Sequence, residues 1–206
     1  MSLPPKSTLK LDGHIRNLGI TSTHRHDVLI HGEGITHQPQ VHDSGRDIHL
    51  DFGGKGTRGR DGRSSRGLSQ RLVLASAVKW SLIFDGAGSH VRANLSGLKL
   101  ARVELDGAFS DFSLDLPAPD GMVTVSVDGF VRRLRLRRPA GVPVRIYVDG
   151  AARRLDLGSA VLVEDHSIDA RVGSNVENGP EDGIEDWAGY RVYVSGAISG
   201  LSVREA

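Results

Sequence analysis

The run "FVRRLRLRRPAG", residues 130–141, holds Arg132, Arg133, Arg135, Arg137 and Arg138 around two leucines. In an extended strand successive side chains point to opposite faces. With Leu134 and Leu136 inward, Arg133, Arg135 and Arg137 project from one outer face, and Arg132 and Arg138 stand at its ends. "AARRLDL", residues 151–157, adds Arg153 and Arg154. Guanidinium groups bind carboxylate or phosphate through paired, charge-assisted hydrogen bonds. The candidate ligand-binding set is therefore Arg132, Arg133, Arg135, Arg137, Arg153 and Arg154, and its chemistry is capture of an anion. Two other readings of the same residues stay open: a solvated charged face, or a dock for the acidic "ENGPEDGIED", residues 177–186.

Other chemistry-bearing residues point less far. Asp85, Asp106, Asp128 and Asp149 each precede a glycine. A column of such carboxylates could hold Ca²⁺, but one aspartate per unit with no second oxygen ligand fits corner residues that bond nearby backbone amides. Seven of the nine histidines fall in the first 49 residues, His24 and His26 among them on one strand face, yet no spacing supplies three or four convergent ligands. No metal site is expected, and no cofactor. "GGKGT" lacks the Lys-Ser/Thr pair of a phosphate loop, there is no G-x-S-x-G elbow, and "EDHS" has no triad logic. No catalytic residue emerges, so the chain is read as a non-enzyme. Zero cysteines removes disulfides and thiolate chemistry.

The elements that must position the arginines are spelled by a repeat. The four Asp-Gly pairs stand 21, 22 and 21 residues apart, and period-2 apolar runs precede each: Trp80, Leu82, Phe84; Ala101, Val103, Leu105; Val123, Val125, Val127; Val144, Ile146, Val148. Apolar positions resume after each glycine at Val91 and Ala93, Phe112 and Leu114, Leu134 and Leu136, Leu155 and Leu157. If Asp-Gly were a two-residue hairpin turn, the unbroken pleat would bury Arg132 and Arg153, at several kcal/mol each. The pair is better read as a multi-residue corner between two short strands, with glycine supplying positive φ. Units of this kind stack as a single-stranded parallel β-solenoid of about 21-residue coils. The alternative is an antiparallel β-sandwich or meander. Stacking places Asp111 under Arg133 and Asp115 under Arg137. It also sets Arg132 over Arg153 and Arg133 over Arg154 as like-charge neighbours. "RVYVSGAISGLSV", residues 191–203, aligns with "RVELDGAFSDFSL", residues 102–114, so the same unit closes the chain beyond an irregular coil over 159–189.

At 206 residues, 38% hydrophobic and 25% charged, the chain is long enough for a substantial core. Lysine plus arginine (26) nearly balances aspartate plus glutamate (25), so any affinity for polyanions is local. The organisation expected is an N-terminal, weakly repetitive β region over 1–53, a flexible Gly/Arg/Ser-rich loop over 54–70, and β-solenoid repeats over 71–206, continuous with 1–53. The basic loop carries no interleaved aromatics, which argues against nucleic acid as a partner. No apolar run approaches a membrane span, and "MSLPPKSTLK" lacks a signal-peptide core.

The stretch from "VKWSLIFDGAGSHVRANL" to "VRIYVDGAARRLDL", with "GYRVYVSGAISGLSV" at the end, resembles bacterial putative-adhesin and toast-rack-type domains, in which strand, Gly-rich corner and strand alternate. The likeness covers roughly residues 72–206. It implies a β-solenoid-like fold, a bacterial source, association with the cell envelope or its stress regulators, and no enzymatic activity. The function expected is a non-catalytic scaffold or interaction domain of an envelope-associated protein, with a protein partner or self-association. The alternative is a binding module for an anionic polymer, a glycan or a phosphate-bearing chain, working through the arginine face.

Overall fold

In the computed structural model the described residues are 3–25, 27–35, 39–53, 70–158, 161–165 (backbone only) and 188–206. The strands are β1 (Lys6–Arg16), β2 (Leu18–Thr23), β3 (Ile30–Glu33), β4 (Gln40–His42), β5 (Asp47–Asp51), β6 (Gln70–Ala75), β7 (Lys79–Ser89), β8 (Val91–Asn94) and β9 (Lys99–Asp115). There follow β10 (Met122–Arg138), β11 (Val144–Val148), β12 (Ala151–Ala152), β13 (Leu155–Leu157), β14 (Val161–Asp165), β15 (Gly189–Val194), β16 (Ala197–Ile198) and β17 (Leu201–Glu205). All belong to one curled sheet, and among the described residues there is no α-helix.

The all-β class is as expected, and the pairing is parallel nearly throughout. Asp12, Asp85, Asp106 and Asp128 stand in one register, and so do Gly13, Gly86, Gly107 and Gly129. Antiparallel pairing is confined to β3 against β6 and β4 against β5, at one end of the stack. There the two short strands cover edges that would otherwise offer unpaired backbone groups.

The corner differs from two strands joined by a loop. β9 and β10 run 17 residues each, straight through Asp-Gly, and bend without breaking. The bend is made by glycine: φ is 119° at Gly86, 121° at Gly107 and 115° at Gly129, where a Cβ would meet the backbone of the rung below. Among the described residues, Asp85, Asp106 and Asp128 make no hydrogen bond to the turn backbone. Asp85 takes Lys10 at 2.9 Å, Asp12 contacts Lys10 and His49, and Asp106 and Asp128 are exposed. Past the corner every rung but that of β7, which has Gly88 there, buries one side chain more than the alternation suggested, at Ile15, Phe109, Val131, Ile198 and Ala152, before Phe112 or its equivalent resumes the pattern. Phe112 is gripped edge-on by Phe84 (4.8 Å) and Phe109 (5.4 Å).

The order of the rungs departs from sequence order at both ends. β1 lies between β5 and β7, and β2 between β6 and β8. β15, β16 and β17 lie between β10 and the β11–β12–β13 rung, which in turn pairs with β14. The C-terminal unit therefore does not close the stack. Inserted, it makes ladder hydrogen bonds along both edges, and its Tyr190 hydroxyl is buried and donates to the Pro117 carbonyl. Residues 54–69 of the expected loop, and 166–187 with the acidic stretch, lie outside the described residues. Gln70, at the loop's expected end, already pairs with Leu18 as the first residue of β6.

Candidate anion-binding site

β10 brings Arg132, Arg133 and Arg135 to the outer face because Val131, Leu134 and Leu136 are buried beneath them. The segment between β12 and β13 carries Arg153 and Arg154, both exposed. The inserted rung separates the two groups. Ser199 donates its N–H to the Val131 carbonyl (3.0 Å), and the Ile198 carbonyl accepts from Arg153 (3.0 Å). On the next residue the Gly200 carbonyl accepts from Leu134 (2.8 Å), and Leu201 donates to the Arg154 carbonyl (2.8 Å). Arg132 is thus not over Arg153, nor Arg133 over Arg154. Each pair stands two strand spacings apart, about 9.6 Å, with Ser199 and Gly200 between. The like-charge contacts expected from sequence order are absent because a rung of small residues has been slotted in.

Those small residues leave a groove. It has a volume of about 560 Å³, with Arg132, Arg133 and Arg135 on one bank, Arg153 and Arg154 on the other, and Ser199, Gly200 and Ser202 along its floor. Arg133 holds Asp111 through two hydrogen bonds, Nε at 2.5 Å and Nη2 at 2.8 Å, and Arg132 reaches the same carboxylate at 3.6 Å. The Arg133 bonds hold the Asp111 carboxyl below its ordinary value and raise the guanidinium. Asp156, at the groove end, is taken by Arg204 at 2.5 Å. Arg135, Arg153 and Arg154 have no carboxylate partner among the described residues. Among the described residues the groove therefore presents more positive than negative charge.

Of the remaining candidates, Arg137 is outside the groove, beside Arg204 and 3.9 Å from Asp115. The expected ladders, Arg133 with Asp111 and Arg137 with Asp115, are both present. Arg138 is not at the end of the outer face. It continues the inward parity of Leu134 and Leu136, is fully buried, and pairs with Glu205 at 2.9 Å. His24 meets the Ser76 hydroxyl at 2.9 Å, and His31 lies 3.9 Å from Glu33. Among the described residues no three His, Asp or Glu side chains converge as metal ligands would. Sequence reasoning missed the groove floor, although the alignment of "AISGLSV" with "AFSDFSL" sets Gly200 at the position of Asp111 and Arg133.

No family model matches the chain, and no curated protein does. The fold is similar to the crystal structure of a putative cell adhesion protein from Clostridium sporogenes. The match covers 98% of this chain and 93% of that one, at a TM-score of 0.56 and 16% identity. At that identity the likeness speaks for the architecture alone. No helix among the described residues is long and apolar enough to cross a membrane.

Proposed function

We propose that the chain is a non-catalytic interaction domain of an envelope-associated bacterial protein, and that it docks an anionic group of a polymer in the arginine groove. The observation that carries this reading is the trio Arg135, Arg153 and Arg154, which have no carboxylate partner among the described residues, around a floor of glycine and serine. Guanidinium groups so placed hold carboxylate or phosphate oxygens from two sides, while the floor hydroxyls and the missing side chain at Gly200 let the ligand approach the backbone. Likeness to an adhesion protein over nearly the whole chain supports the interaction role, as does the resemblance to adhesin-type repeats.

Changing Arg135, Arg153 and Arg154 together to glutamine tests it. Exposed charges contribute little to stability, so melting should stay within a degree or two of the parent. Salt-sensitive retention on immobilised heparin should be lost. Retention that survives the triple change would remove the groove from the reading, and a parent not retained at low salt would end it.

A further inference from the structure

Resting on that reading, the register assigns a longer ligand path, which we propose as a track for a linear acidic polysaccharide running across the strands along the stack. Arg135 faces Ser113 on one side and Ser202 on the other. Ser113 faces Arg92, Arg92 faces Gly19, and Gly19 faces Arg71. Arg71, Arg92 and Arg135 thus recur on every second strand of one outward column, with Gly19 and Ser113 between them and Ser202 beyond Arg135. All three arginines are exposed, and Arg92 and Arg135 have no carboxylate partner among the described residues. A second column, three residues back along β10 from Arg135, carries Arg16, Arg132 and Arg153 at a wider and uneven spacing, with Ser89 and Ser110 between the first two and Ser199 between the last two.

The column ends in acid at both limits. Glu33 pairs with Arg71 at 3.6 Å beyond one end, and Asp156, facing Ser202, takes Arg204 at the other. Six strand spacings separate Arg71 from Asp156, about 29 Å. A cation at each second spacing, about 9.6 Å apart, matches a chain that carries its anionic group on every second sugar, since a pyranose ring is about as long as one spacing. The intervening serines offer hydroxyls to hydroxyls. No aromatic side chain interrupts the column to stack on bases, which separates this surface from a single-strand nucleic-acid track. Asp111, the acid inside the face, is already held by Arg133.

The deciding measurement compares the parent with Arg71→Gln/Arg92→Gln on two probes, polymeric heparin and a heparin tetrasaccharide short enough to stay in the groove. The double change should leave tetrasaccharide binding equal to the parent. It should weaken polymer binding by about tenfold and flatten its dependence on salt, because two fewer counterion-releasing contacts form. Polymer affinity unchanged in the double variant would overturn the track and leave the groove reading standing. A parent that binds neither probe would remove both. Oligo(dT) bound as tightly as the polymer, with the same loss on the double change, would overturn the choice of a polysaccharide.

Discussion

Asp111 restrains the groove. Its carboxyl is nearly enclosed and accepts from Arg133 twice, with Arg132 and His90 also near, so part of the positive field that a ligand would feel is already neutralised. Asp111→Asn should release Arg133 and raise the salt needed to elute the protein from heparin, while costing about 1 kcal/mol or less of stability. Elution at unchanged or lower salt would mean that Arg133 does not reach the ligand. The pH dependence has a definite sign. Arg133 depresses the folded pKa of Asp111, so the pair's contribution to stability is full above the unfolded aspartate value of about 3.9 and disappears as pH falls through the folded one. This contact is legible in the sequence, because in-register repeats put residue 133 over residue 111. The inward turn of Arg138 departs from its expected place at the end of the outer face, although it follows the parity of Leu134 and Leu136 carried two residues further.

At the scale of the elements, the corner glycines determine how closely rungs approach. A Cβ at Gly86 would lie 2.6 Å from the Gly13 carbonyl oxygen, and one at Gly107 would fall on the Gly86 carbonyl, at φ 121°. Gly107→Ala should therefore cost about 3 kcal/mol or more, from strain at positive φ and from parted rungs. Gly141→Ala is the control: φ is 73° but nothing lies within 4 Å, so only the backbone cost of about 1 kcal/mol applies. Urea melts giving equal losses for the two would remove the close-approach argument. The spacing of Asp-Gly pairs reveals these corners because a corner that must be glycine punctuates the sequence. It does not reveal the extra inward residue at Ile15, Phe109, Val131, Ile198 and Ala152. Phe109 and Val131 follow the corner at a changed pitch, which a strict period of two does not follow.

At the scale of the whole molecule, repeat spacing identifies rungs but carries no information on their order. Any unit with a glycine at the corner and apolar residues at matching positions can pair with any other, and "LKLDGHIR" and "VYVSGAIS" both qualify. The interleaved order has a consequence that a sequential stack would not have. In a sequential stack, removing residues 189–206 would delete a terminal coil and leave the remaining ladders intact, as in repeat proteins whose end units unfold separately. Here the same residues form the rung that joins β10 to β11, β12 and β13, supply the floor of the groove, and bury Tyr190, Val192, Val194, Ile198, Leu201 and Val203. Their loss leaves two unpaired edges inside the stack and buried Arg138 without Glu205, a change of several kcal/mol on the last count alone. The truncated protein should lack a cooperative thermal transition or aggregate, and should not bind heparin. A truncated form that stays monomeric and melts cooperatively near the parent's temperature would mean that the C-terminal rung is peripheral, and that the groove it floors is not part of the stable fold.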